Sequence, residues 1–235
     1  QLIAKSKREK FIDKLIDALF QIQGGYSLVL MTNKKLVGVR DPFGIRPLVI
    51  GKLKGSYIIA SETCALDIVG ATYLREVENG EIIVIENGKL TSTKPFPKQK
   101  PRPCVFEYIY FARPDSLING QCAYEYRKRL GLELAKETDI DADLVVPVPD
   151  SGVPAALGYA EESNKKFDLG LIRNHYVGRT FIEPTQNIRS LGVKLKLSST
   201  KTIVNNKSII LIDDSLVRGT TCHKIVKMLY ESGAK

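Results

Sequence analysis

The stretch "KPFPKQKPRP", Lys94 to Pro103, places four prolines within ten residues. Proline lacks the backbone N–H and fixes φ, so such a run fits neither a helix interior nor a central strand. It therefore marks a break, and the hydrophobic pattern changes across it. Before it come short β-branched runs joined by turn signals. "YSLVLM" and "LVGV" flank "TNKK", "PLVIG" and "YIIASE" flank "KLKG", and "EIIVIENGKLTST" turns at Asn87 and Gly88. These read as hairpins. An amphipathic helix over residues 6–21, with Phe11, Leu15, Ile16, Leu19 and Ile22 at three- and four-residue spacing, precedes them and stops at Gly24 and Gly25. The first 103 residues thus predict an α+β part with stacked antiparallel sheets.

Beyond the break, strands alternate with helices. "VFEYIYFA" reads as a strand and Tyr124 to Glu137 as a helix. "DLVVPVPDSG" reads as a strand entering a loop and Val153 to Glu161 as a helix. "FDLGLI" and "SIILI" are strand candidates, and Thr221 to Glu231 is a helix. That order predicts an α/β part with a mainly parallel sheet covered on both faces, spanning residues 104–235.

Composition narrows the function. No apolar run approaches the ~18 residues of a membrane span, and no signal pattern opens the chain. The formal net charge of +9 implies either a basic solvated surface or an anionic partner. Aromatic residues do not interleave with basic ones as in base-stacking surfaces, which argues against nucleic acid and for a small phosphate ester. Cys64, Cys104, Cys122 and Cys222 form no C-x-x-C pair and there are only two histidines, so a zinc site within the chain is not expected. Scattered cysteines without a signal fit a reducing cytoplasm.

The chemistry concentrates in "SIILIDDSLVRGTT", Ser208 to Thr221. A buried parallel strand ends at the carboxyl edge of its sheet, where open α/β folds bind ligands. Backbone N–H groups at the next helix start, with the Ser215, Thr220 and Thr221 hydroxyls, form a cradle for a phosphate, and Gly219 allows close approach. Adjacent Asp213 and Asp214 do not hold phosphate. They suit sugar hydroxyls, directly or through a divalent cation. The ligand is then a sugar bearing a phosphate, set against the plainer reading of an acidic surface turn. "PVPDSG", Pro147 to Gly152, also follows a strand and precedes a helix, so Asp150 and Ser151 meet the same ligand, unless Asp150 is a helix cap. Residues 173–197 are long, polar and cationic. Arg173, Tyr176, Arg179, Lys194 and Lys196 there are candidates for a flexible lid that excludes water.

"SIILIDDSLVRGTT" resembles the phosphoribosyl-pyrophosphate (PRPP) motif of type I phosphoribosyltransferases. With "RDPFGIRPLVIG", "IASETCALD", "EYIYFARPDS", "VPDSGVPAALGYA" and "YVGRTFI", in that order, nearly the whole chain is similar to the glutamine PRPP amidotransferase family. The resemblance implies a partial Ntn-hydrolase glutaminase (class II glutamine amidotransferase) domain over 1–103. A truncated type I phosphoribosyltransferase domain follows over 104–235. It implies an enzyme of purine synthesis that moves glutamine-derived ammonia to C1 of PRPP and releases pyrophosphate, giving 5-phosphoribosylamine. Asp41 would recognise the α-amino group of glutamine. Ser151, Asp213 and Asp214 would hold Mg²⁺. Ser215, Arg218, Gly219, Thr220 and Thr221 would line the 5′-phosphate loop, and the loop at Asp150 and Ser151 would face the pyrophosphate.

The same resemblance puts the nucleophilic cysteine upstream of Gln1, where the family has it as the first residue of the mature enzyme, so this chain is read as a fragment without glutaminase activity of its own. It also puts a [4Fe–4S] ligand at Cys104, with the other three ligands beyond Lys235; a buried structural cysteine is the alternative. A homotetramer is implied for the full-length protein. Two rival functions remain. A non-enzymatic PRPP-sensing regulator would carry a DNA-binding module, and no helix-turn-helix pattern is evident. A purine salvage phosphoribosyltransferase would have no use for the glutaminase-like half.

Overall fold

The computed structural model describes residues 1–176, 196–217 and 219–235. The chain divides into two compact units, Gln1–Cys122 and Ala123–Lys235. The proline-rich stretch and the segment after it belong to the first unit. Arg102 N–H donates to the Phe43 carbonyl, and Cys104 N–H to that of Ile45.

In the first unit, β1 (Ser27–Met31), β2 (Lys35–Arg40), β6 (Ile82–Glu86) and β7 (Lys89–Thr93) form an antiparallel sheet in the order β1-β2-β6-β7. A second antiparallel sheet has the order β4-β3-β5, from β3 (Val49–Leu53), β4 (Ser56–Ala60) and β5 (Thr72–Glu76). Alternation along the strands sets the layers. Val37 and Val39 of β2, with Ile82 and Val84 of β6, face Leu15 and Leu19 of the helix Phe11–Leu19. Ile83 points the other way, into Leu48, Ile50 and Val77 around the second sheet. Val49 packs on Leu66 of the helix Thr63–Ile68. The result is helix, sheet, sheet, helix. The Asn87-Gly88 turn has both residues at positive φ, +50° and +71°, as a two-residue hairpin requires.

Two expectations change here. The first helix is shorter than 6–21, running Phe11–Leu19, with a separate turn of helix at Leu2–Lys5. "VFEYIYFA" is not a strand. Glu107–Phe111 is a π-helical turn closed by Ala112 N–H on the Glu107 carbonyl, and the short hairpin β8 (Leu117–Ile118) and β9 (Gln121–Cys122) follows. A strand would have placed Glu107 on a sheet face. The turn instead buries its carboxylate, 2.5 Å from Arg46 Nη1, an ion pair without hydrogen-bond alignment.

The second unit centres on a parallel sheet, β11-β10-β14, from β10 (Leu144–Pro147), β11 (Lys166–Phe167) and β14 (Ile209–Ile212). One face, Leu144, Val146 and Val148, packs on Ile225 and Leu229 of the helix Thr220–Glu231. The other face, Val145, Ile210 and Ile212, packs on Ala135, Ala156, Tyr159 and Ala160 of the helices Ala123–Glu137 and Val153–Ser163. "FDLGLI" splits in two. Its start gives β11, and its end gives β12 (Leu171–Arg173), which pairs antiparallel with β13 (Leu197–Ser199).

Candidate functional site

β10 and β14 are adjacent and parallel, with Pro147 opposite Ile212. Both therefore deliver their following loops to the same edge of the sheet. Val148 N–H continues the pairing onto the Ile212 carbonyl at 2.8 Å. The chain then turns at once. Gly152 N–H donates to the Val148 carbonyl at 2.9 Å and Val153 N–H to that of Asp150 at 3.3 Å, and the helix Val153–Ser163 begins. The Pro149–Asp150 peptide is cis. Gly152 is buried, and a β-carbon on it would lie 2.6 Å from the Ile212 carbonyl and 2.8 Å from that of Val148. Only glycine lets this loop sit so close to the end of β14, so that the loop carrying Asp150 and Ser151 leaves the same sheet edge as the one carrying Asp213 and Asp214.

The acidic pair is held by its own loop. Asp213 accepts Asp214 N–H at 2.9 Å, and Asp214 accepts the Ser215 hydroxyl at 2.5 Å. Burial pushes the Asp213 carboxyl above the usual carboxylate range and the neighbouring Asp214 charge adds to this, while the Asp214 N–H pulls the other way. Gly219 caps the next helix in the left-handed conformation, φ +68°, with no atom within 4 Å of where a β-carbon would be. Its carbonyl accepts His223 N–H at 2.8 Å. Thr220 and Thr221 stand exposed at the helix start. Leu216 and Val217 on the same loop are also exposed, at 70% and 82%, a feature with no counterpart in the sequence reading. Arg218 lies outside the described residues.

Of the lid candidates, Arg173 ends β12, and its Nη1 is 2.6 Å from Asp150 Oδ2. Tyr176 is wholly exposed, its N–H on Asn174 Oδ1. The Lys196 carbonyl accepts Asn174 N–H at 2.7 Å. Arg179 and Lys194 lie outside the described residues.

Among the described residues no group of three His, Cys, Asp or Glu side chains is placed to hold a metal by itself. A hard cation at Asp213, Asp214 and Ser151 would need oxygens from its ligand and water, which is how Mg²⁺ is ordinarily held. The four cysteines are free and do not gather. Cys104, half-buried in the first unit, is a single thiol, so this chain's residues do not make a cluster site.

Asp41, expected at the α-amino group of glutamine, lies within the first unit. It is fully buried, and its carboxylate accepts three N–H groups of its own loop: Phe43 at 3.0 Å, Ile45 at 3.2 Å and Arg46 at 3.2 Å. Burial of the Tyr26 phenol, with the Asp41 charge adding to it, pushes that group up to about 12. With three donors in hand, the Asp41 carboxylate organises the "RDPFGIR" loop.

A second polar centre in the first unit escaped the sequence reading. Glu62 Oε2 accepts Arg113 N–H and the Ser116 hydroxyl, both at 2.8 Å, and Thr63 Oγ1 accepts Leu117 N–H at 2.8 Å. These bonds hold the "ARPDS" stretch. Their partners are more than fifty residues apart, so no local pattern in the sequence connects them.

A family model described as a glutamine amidotransferase domain matches residues 3–67. An amidophosphoribosyltransferase of Rhizobium etli is 56% identical over 239 aligned residues, covering all of this chain and 48% of that relative. The Bacillus subtilis amidophosphoribosyltransferase is 46% identical over 233 residues, covering 99% of this chain and 49% of its own length. Among solved structures, the glutamine PRPP amidotransferase from B. subtilis, complexed with ADP and GMP, matches with a TM-score of 0.92 at 46% identity. That match covers 100% of this chain and 51% of that one. The chain spans about half the length of the curated relatives it matches.

Proposed function

We propose, for a chain that belongs to the amidophosphoribosyltransferase family, that its second unit binds PRPP for displacement of pyrophosphate by ammonia, while the first is part of the glutaminase that supplies the ammonia. The finer fold assignments follow the same reading: an Ntn-hydrolase part for the helix–sheet–sheet–helix unit and a type I phosphoribosyltransferase part for the parallel sheet. The observation that carries the proposal is the parallel pairing of β10 and β14, which sends "PVPDSG" and "DDSLVRGTT" off the same sheet edge.

In this reading Asp213 and Asp214 accept hydrogen bonds from the ribose hydroxyls, whose donors match carboxylate oxygens. Ser215, Gly219, Thr220 and Thr221 take the 5′-phosphate with hydroxyls and the N–H groups that open the helix Thr220–Glu231, aided by its dipole. Arg218 belongs to the same loop in sequence. The pyrophosphate lies toward Ser151 and the start of the helix Val153–Ser163. Mg²⁺, held by Asp213, Asp214 and Ser151 together with ligand oxygens, would neutralise the departing pyrophosphate. The chain's own residues orient the sugar so that C1 is open to the incoming nitrogen, and attack forms the C1–N bond as the C1–O bond to pyrophosphate breaks. A cytoplasmic homotetramer is part of the same reading. No helix among the described residues is long and apolar enough to cross a membrane.

The test is ammonia-dependent release of pyrophosphate from PRPP by the intact protein. A requirement for a purine base as acceptor would make it a salvage enzyme, and tight PRPP binding with no release would make it a sensor; either outcome overturns the proposal.

A further inference from the structure

A loop that receives a polyanion ordinarily offers N–H groups, hydroxyls and cations. Asp150 breaks that rule, placing a carboxylate at the tip of the turn between β10 and the helix Val153–Ser163. Its partner is Arg173, the last residue of β12, with Nη1 2.6 Å from Asp150 Oδ2. Both side chains are well exposed, 58% for Asp150 and 46% for Arg173. Neither is locked by burial, so each can turn away without stranding a charge in the protein interior. An exposed pair of this kind contributes little to stability and exchanges readily. The guanidinium, with its planar set of donors, binds phosphate oxygens as readily as a carboxylate.

We infer that Asp150 is an internal competitor of pyrophosphate: Arg173 passes from the Asp150 carboxylate to the pyrophosphate group on binding, and re-forming the pair helps the product leave. The inference rests on the PRPP reading and gives a positioning role to two residues of that site. When Arg173 turns to the ligand, the Asp150 carboxylate is left beside a polyanion, and like-charge repulsion favours the return. Such a device serves a reaction whose leaving group is a tightly held polyanion, because turnover is often limited by product release.

The test is calorimetric titration of inorganic pyrophosphate, with Mg²⁺, into the intact protein and its variants. Asp150→Asn keeps the shape of the loop and removes the competing charge, so it should tighten pyrophosphate binding about fivefold, the upper range for an exposed ion pair. Arg173→Gln should weaken binding. In the Arg173→Gln background, Asp150→Asn should bring a much smaller gain, that of relieved repulsion alone, because no guanidinium is left to compete for. If the gain persists there at full size, the carboxylate repels the ligand directly and the exchange is refuted. Unchanged or weaker binding by Asp150→Asn, with wild-type binding intact, refutes it as well. If the wild-type protein binds no pyrophosphate with Mg²⁺, the PRPP reading itself falls and takes this inference with it.

Discussion

Replacing Gly152 by alanine tests whether the close approach of the two loops makes the site. The backbone there, φ −77° and ψ −10°, is one that alanine adopts freely, so no dihedral strain enters. The whole effect is the new β-carbon. It would sit 2.6 Å from the Ile212 carbonyl, about 0.8 Å inside the 3.4 Å at which ordinary contact begins. The obstacle is the backbone at the end of β14, with the Val148 carbonyl at 2.8 Å on the other side, so neither can swing aside as a side chain would. The loop must lift. Forcing one carbon into a packed site costs about 1–3 kcal/mol. Alanine recovers about 0.4–1 kcal/mol by restricting the unfolded chain. A net destabilisation of about 1–2 kcal/mol is expected, read from urea denaturation of the intact protein. The functional loss should be larger, because a lift of most of an ångström displaces the Ser151 loop from the sheet edge that the acidic loop shares in the proposed site. Misplacement on that scale costs on the order of 10²-fold in turnover. Initial rates of ammonia-dependent pyrophosphate release measure it. A Gly152→Ala protein with wild-type denaturation midpoint and wild-type kcat/KM would refute the claim that this contact sets the geometry.

Three further outcomes are expected. The double variant Asp213→Asn, Asp214→Asn should lose PRPP turnover in the intact protein while glutamine hydrolysis stays detectable; joint loss of both activities with the fold retained would show that the sites do not separate. Burial alone would raise the Glu81 carboxyl, but the two bonds from Arg75, the Ser92 hydroxyl and the Glu78 N–H outweigh it and hold it below the usual range. A depressed carboxylate stabilises the fold above its unfolded pKa and loses that contribution as pH falls through the folded value. Glu81→Gln should therefore cost about 2 kcal/mol at pH 7 and progressively less in acid, seen as converging melting curves. Glu107 has the opposite sign. Burial raises it, with Glu62 adding and Arg46 opposing, so its contribution is present at low pH and lost as pH rises through the raised value. The melting temperature of Glu107→Gln relative to wild type should rise over that range, and a flat difference would show that the carboxyl is not perturbed.

What the sequence disclosed was what is local. The alternation of "KLVGVR" places Val37 and Val39 on one face and Gly38 on the other, and the structure packs them against the first helix and the second sheet respectively. The Asn87-Gly88 hairpin, the strand before Asp213 and the helix after Gly219 are set by neighbouring residues and were legible for that reason. What escaped it depends on distant partners. "VFEYIYFA" has the composition of a strand, but no sheet edge accepts it, and Arg46 draws Glu107 into a turn. Asp41 was singled out through the family resemblance, which says nothing of how its carboxylate is held. That carboxylate accepts three N–H groups of the next five residues, and only loop geometry reveals them. The Asp150–Arg173 pair likewise joins a loop to the end of a strand that no periodicity connects.

The two acids at the end of β14 show how one short segment meets two demands. A buried strand ending on a pair of like charges costs the fold something, and the upward push on Asp213 is the sign of that cost. The loop limits it locally. Asp214 N–H holds one Asp213 oxygen, and the Ser215 hydroxyl holds one Asp214 oxygen. Each bond uses one oxygen and thereby fixes the direction of the other. An unperturbed acidic turn on a solvated surface would need no such arrangement, since water would satisfy both carboxylates and neither would be raised by burial. Orientation at a cost to stability is what a site needs when its ligand presents hydroxyls or a cation at a defined distance from a phosphate. In the proposed site the left-handed Gly219, seven residues after the strand ends, would set that distance by starting the next helix where it does.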